Sequence, residues 1–152
     1  MDEILFKPIG YVATDVTERV DDNWGEVISR IDLQEEYTGS LLGLADFSHA
    51  IIVTFLHQAE YNPARHLQRR PRGLAEMPKL GIFSQRVKNR PNPIGITTVE
   101  IIEAGDRYLE IRGLDAVNGT PILDIKPYFP HFDRVQNPLV PEWVNKLMED
   151  YF

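Results

Sequence analysis

A chain of 152 residues, 43% of them apolar, is long enough to bury one core and too short for two ordinary domains. It contains no cysteine, which excludes disulfides, thiolate metal sites and a cysteine nucleophile and fits a reducing compartment. Its net charge of -7, from 16 Lys plus Arg against 23 Asp plus Glu, has the wrong sign for gripping phosphate backbones by bulk electrostatics, so any nucleic-acid contact must use a local basic patch.

The N-terminal stretch carries Asp2 and Glu3 where a secretory signal would carry basic residues, and no later segment approaches the ~20 apolar residues of a membrane span, so a cytoplasmic location is expected. Leu5 to Val12 is short, β-branched and punctuated by Pro8 and Gly10, as suits an edge strand. From Val27 to Leu33 the apolar residues alternate with Arg30 and Asp32, which predicts a half-buried strand. Gln34 to Leu44 mixes helix formers with Gly39 and Gly43, each of which would cost a helix interior about 1 kcal/mol, so one or two helical turns are expected. His49 to Leu56 is almost continuously apolar and β-branched, a strand covered on both faces at the centre of the core.

Gln58 to Lys79 is polar, holds Pro63, Pro71 and Pro78, and reads as a long mobile loop. Strands resume at Gly81 to Phe83, Ile94 to Ile102 and Arg107 to Arg112, the last two joined as a hairpin through Ala104-Gly105-Asp106. Asn118-Gly119 signals another hairpin, which would fold Asp115 back toward Asp124. Near the end, Pro141 stands at a first helical position, and Trp143, Val144, Leu147 and Met148 share one helical face. The fold class is therefore mainly β: a small closed or partly open antiparallel barrel with short helices, one of them C-terminal.

His49 and His57 lie eight residues apart on one predicted strand, roughly 26 Å at full extension, and cannot share a metal ion. No Gly-rich phosphate loop, zinc-protease helix or serine-hydrolase elbow is present. Arg86, Lys88 and Arg90 cluster before Pro91-Asn92-Pro93, whose prolines preorganise the loop, although a rigid turn with solvated charges fits equally well. Asp124 and Lys126 face the same side of a strand, either as a structural ion pair or as a polar site beside the core. His49 and His57-Gln58 mark the two ends of the central strand.

Together these segments resemble the TsaA-like family, which includes tRNA methyltransferase O. The matching text is Pro8-Ile-Gly10, Phe47-Ser-His49, His57-Gln58, Gly81-Ile-Phe83, Arg86, Arg90-Pro-Asn-Pro-Ile-Gly95, Leu114-Asp115 and Asn118-Gly-Thr-Pro-Ile-Leu-Asp-Ile-Lys-Pro-Tyr128. The resemblance implies a β-barrel methyltransferase fold, usually homodimeric, that holds S-adenosylmethionine in loops at the barrel mouth and methylates N6 of threonylcarbamoyl-adenosine in the tRNA anticodon loop. It places the donor on Asn23, Trp24, Gly25, His57, Gln58, Phe83, Arg86, Ile96, Leu114, Asp115, Ala116 and Val117, with no metal. Asn23-Trp24-Gly25 departs from the commoner Pro-Gly pattern of relatives.

The acceptor nitrogen must lose a proton, so a base is wanted. Asp124 and His49 are the candidates, with Tyr128 orienting. Lys88, Arg90, Lys126 and the Arg69-Arg70-Arg72 run are the expected RNA contacts. Longer bacterial relatives carry a second C-terminal domain, and residues 1–152 are expected to be the barrel domain alone. Two alternatives are a methyltransferase acting on a non-RNA acceptor and a non-catalytic module that senses the donor.

Overall fold

The computed structural model describes residues 2–18 and 20–152. In chain order the strands are β1 (Gly10–Ala13), β2 (Ile28–Leu33), β3 (His49–Phe55), β4 (Gln68–Arg69), β5 (Leu80–Gly81), β6 (Ile94–Ala104), β7 (Tyr108–Arg112) and β8 (Pro121–Pro127). The short helices are α1 (Pro63–His66), α2 (Pro130–Asp133) and α3 (Glu142–Leu147). Six strands close an antiparallel barrel in the order β1-β2-β7-β6-β3-β8, and β4 and β5 pair separately. Closure leaves none of the six as an unpaired edge.

Period-two patterning drives this closure. On β2, Ser29, Ile31 and Leu33 turn inward and are buried, while Ile28 and Arg30 are exposed. Ile31, Ile52, Leu109, Ile111 and Ile122 are fully buried in one core with Val12, Ala50 and Val99. Each such aliphatic side chain contributes about 1.5–3 kcal/mol relative to exposure. As its apolar run predicts, β3 is central, hydrogen-bonded to β6 on one side and to β8 on the other.

Several expectations are corrected. The first strand begins at Gly10 rather than Leu5. Gly81 to Phe83 is not a strand: only Leu80–Gly81 pairs, and Ile82–Ser84 forms a 3-10 turn that buries Ile82. The stretch expected as a long loop carries α1, β4 and a 3-10 turn at Pro71–Gly73, because Asn62 caps α1 through Ala64 N–H and Gln68–Arg69 pairs with Leu80–Gly81. Asn118-Gly119 does make a tight turn, with Gly119 at φ 83°, but it joins β7 to β8, which are not neighbours. The turn is instead pinned across the barrel end by Asn118 N–H to Val16 O (2.7 Å) and Gly119 N–H to Val12 O (2.8 Å), and Asp115 does not fold back onto Asp124.

The registers put the connections 14–27, 56–93 and 113–120 at one end of the barrel, its mouth, and 34–48 and 105–107 at the other. Beyond β8 the chain runs back along the outside through α2 and α3, burying no residue there, and ends at the mouth. Among the described residues no helix is long and apolar enough to cross a membrane.

Candidate active site

Every residue that the resemblance assigns to the donor lies on a mouth connection or, for Ile96, near the mouth end of β6. The first wall is the 113–120 connection, where Leu114, Ala116 and Val117 are buried and Asp115 is half-exposed between them. Both Asp115 carboxylate oxygens accept hydroxyl hydrogens, Oδ1 from Thr97 and Oδ2 from Tyr151. The carboxylate is thus fixed at the mouth with unused lone pairs on both oxygens.

The second wall is the loop at Asn23-Trp24-Gly25. Asn23 takes a left-handed φ of 68°, which a short polar residue tolerates better than most. Trp24 is buried, and its indole N–H donates to Val20 O at 3.3 Å. Arg72 latches this loop, donating at 3.0 Å to both Asp22 Oδ1 and Asp21 O. Opposite the latch, the C-terminal residues close on the loop, with Asn23 N–H donating to Asp150 O (2.8 Å) and Trp24 N–H to Tyr151 O (2.7 Å).

The third wall is the 56–93 connection. Buried Gln85 ties it together, its amide donating to Arg69 O at 2.9 Å and Leu80 O at 3.0 Å. Arg90 donates to Gln85 O at 2.8 Å, so its guanidinium braces the turn that presents Arg86. Exposed Arg86 donates one N–H to Ile96 O at 2.9 Å, and a guanidinium carries further donors that this contact does not use. Phe83, His57 and Gln58 are exposed on the same connection.

The base candidates are spread along β3 and β8. Asp124 and Ile96 both pair with Val53, so they share one rung of the outer face, two strand spacings or roughly 10 Å apart. Asp124 holds Lys126 in an ion pair at 2.9 Å, which pushes the ammonium pKa up, chiefly through that hydrogen bond. His49 lies four residues farther along β3, roughly 13 Å toward the far end. There its Nδ1 sits 2.6 Å from Ser48 Oγ, and its ring meets the edge of Tyr128 at 6.4 Å. A cavity of about 470 Å³ opens at that far end among Tyr37, Leu41, Leu44, Phe47 and Ile125, with Asp124 at its rim.

Residues 20–134 match the family of tRNA-methyltransferase O N-terminal domains. The chain belongs to this family. A probable S-adenosyl-L-methionine-binding protein of Methanothermobacter thermautotrophicus is 39% identical over 137 residues, covering 88% of this chain and 96% of that one. A human tRNA (adenine(37)-N6)-methyltransferase is 39% identical over 104 residues, 67% of this chain but 23% of that protein. A crystal structure of TrmO from Pseudomonas aeruginosa superposes with a TM-score of 0.77 at 26% identity, over 94% of this chain and 62% of the other. The chain therefore spans nearly all of the archaeal relative and under two thirds of the bacterial structure.

Within this tRNA-methyltransferase O-type barrel, the Arg69-Arg70-Arg72 run is largely engaged internally. Arg70 donates to Met77 O, Arg69 to Arg70 O at 3.4 Å, and Arg72 spends its charge on Asp22. Lys88 and Arg90 are half-buried beside Arg86. Sequence reasoning missed Thr97, Gln85, the Arg72–Asp22 latch and Tyr151. Thr97, Arg72 and Tyr151 each meet a partner distant in sequence, 18, 50 and 36 residues away, and no local pattern announces such a contact.

Proposed function

We propose that this chain binds S-adenosylmethionine at the barrel mouth and directs the methyl group to a tRNA nucleoside, N6 of threonylcarbamoyl-adenosine in the anticodon loop. The observation that carries this reading is that a guanidinium, Arg86, and a carboxylate, Asp115, are anchored on the neighbouring β6 residues Ile96 and Thr97 at the barrel mouth. That pairing suits a ligand with a zwitterionic amino-acid end.

When bound, the donor supplies an electrophilic methyl on a sulfonium that becomes a neutral thioether as the N–CH3 bond forms. Arg86, steadied by Ile96 O, takes the amino-acid carboxylate, and Asp115 takes the ammonium or the ribose hydroxyls. The three mouth connections exclude water and align acceptor with methyl, which is where most of the rate comes from in an in-line displacement. Asp124 takes the N6 proton, since it shares a rung with Ile96 whereas His49 and Tyr128 sit farther off. Lys126, Lys88 and Arg90 meet the RNA backbone. The working protein is a cytoplasmic homodimer, and sedimentation equilibrium tests the dimer.

A second reading, donor binding without RNA methylation, is supported by the net charge of -7, by the internal use of Arg72, and by the names of the archaeal relatives. Calorimetric titration with S-adenosylmethionine, repeated on Arg86→Ala, comes first: saturable binding lost in the variant supports the donor site. Transfer of labelled methyl to tRNA bearing the threonylcarbamoyl group, and not to tRNA lacking it, then supports the enzyme. Donor binding with no transfer to either RNA rejects the tRNA acceptor.

A further inference from the structure

The C-terminal residues Asp150, Tyr151 and Phe152 lie on two parts of the expected donor site at once. Their backbone oxygens accept the N–H groups of Asn23 and Trp24, and the Tyr151 phenol donates to Asp115 Oδ2. Gly25 packs so closely on Phe152 that a Cβ there would meet the Phe152 carbonyl carbon at 2.6 Å. The Tyr151 and Phe152 rings brace each other edge to face, with centroids 4.8 Å apart.

Attachment is strong at this tip and weak behind it. From Tyr128 to Glu149 the chain buries no residue, and on α3 even Trp143, Val144 and Leu147 are half-exposed. A segment held by few buried contacts opens locally at small cost. Thr97 holds Asp115 Oδ1 and Tyr151 holds Oδ2, so a ligand ammonium or hydroxyl approaching Oδ2 meets the Tyr151 phenol already seated there.

We propose that residues 150–152 form an intramolecular strap that competes with the donor, Tyr151 standing in for a ligand donor group on Asp115, so that binding requires the strap to lift from the Asn23–Gly25 loop. This rests on the donor site proposed above. Burial first, and then the Asp115 charge, hold the Tyr151 phenol well above its ordinary pKa, so it remains a hydrogen-bond donor to the carboxylate.

The test is calorimetric titration of the full chain, of Tyr151→Phe and of a chain ending at Glu149, with S-adenosylmethionine as the probe. Thermal unfolding confirms that each is folded. The strap predicts Kd lower by about tenfold in both variants, equivalent to ~1.4 kcal/mol of relieved competition. Unchanged or weaker donor binding in the folded variants overturns the strap and leaves the donor site standing. Absence of donor binding in all three folded proteins overturns the donor site and the strap with it.

Discussion

Gly95→Ala couples the packing of the barrel to the geometry of its mouth. Gly95 lies in β6 opposite Thr54, and an added Cβ would sit 2.5 Å from Thr54 Oγ1 and 3.2 Å from Leu56 Cδ2. Thr54 is 4% exposed and β-branched, so rotating it only replaces its hydroxyl by its methyl at the point of conflict. The strands must part, and overpacking of this kind costs about 1–3 kcal/mol. For a chain of this size that lowers Tm by roughly 2–12 °C. The next residue is Ile96, whose carbonyl positions Arg86 at 2.9 Å, so the same displacement should weaken donor affinity. Thermal unfolding and donor titration read the two effects. Gly81→Ala is the control: a Cβ there meets nothing within 4 Å and the backbone is extended, so it should stay within about 0.5 kcal/mol of the parent. If Gly95→Ala melts like Gly81→Ala and binds the donor normally, the close approach of β3 and β6 does not set the mouth.

Three further perturbations follow from the same structure. Ile52→Ala, at a fully buried position on the central strand, should cost about 2–5 kcal/mol in urea unfolding. Arg72→Gln and Asp22→Asn should each lower stability by about 1 kcal/mol, since the pair is partly exposed, and each should weaken donor binding by loosening the Asn23–Gly25 loop. The double variant should be no worse than either single, and additive losses would show that the latch is not one interaction. His66 accepts Asn62 N–H through Nδ1 at 2.8 Å, and its pKa is lowered from 6.5, first by desolvation and then by the charges of Arg65 and Arg69. The folded state then binds fewer protons than the unfolded one, so this contribution is complete above 6.5 and is lost as pH falls through the lower folded value. His66→Gln should flatten that acid limb in denaturant titrations across pH.

The barrel was legible where a residue's neighbours alone decide its fate. Ser29, Ile31 and Leu33 alternate with exposed residues, and the apolar run of β3 marks a strand with partners on both sides. What failed was long-range. Asn118-Gly119 encodes a tight turn, but nothing in those two residues says whether the flanking strands pair, and here the chain crosses the barrel end instead. Gly81-Ile-Phe is too short for its apolar character to choose between strand and turn, and the buried amide of Gln85 gathers Leu80 and Gly81 into a knot with Arg69. The residues expected to hold the donor were named from motif strings, and their common location at the mouth follows from strand direction, because β1, β3 and β7 all run toward that end.

Strand direction also bears on the choice of base. The Asp-Ile-Lys-Pro-Tyr string on β8 leaves the mouth and ends beside His49 at the far end, so its residues stand at graded distances from the proposed donor site. Asp124 is the first polar side chain of that string, level with Ile96 across Val53, and from that rung to the mouth the outer face carries apolar Val53, Phe55 and Ile94. A nucleobase lying over this strip would meet an apolar floor, the donor on one side and the Asp124 carboxylate on the other. Lys126 Nζ holds an Asp124 carboxylate oxygen at 2.9 Å, so on the reading proposed above an RNA phosphate that draws Lys126 away would free that oxygen for the acceptor N–H. On the proposed assignment of Asp124 as the base, an Asp124→Asn variant should bind donor normally while losing methyl transfer, and retained transfer would reject that assignment.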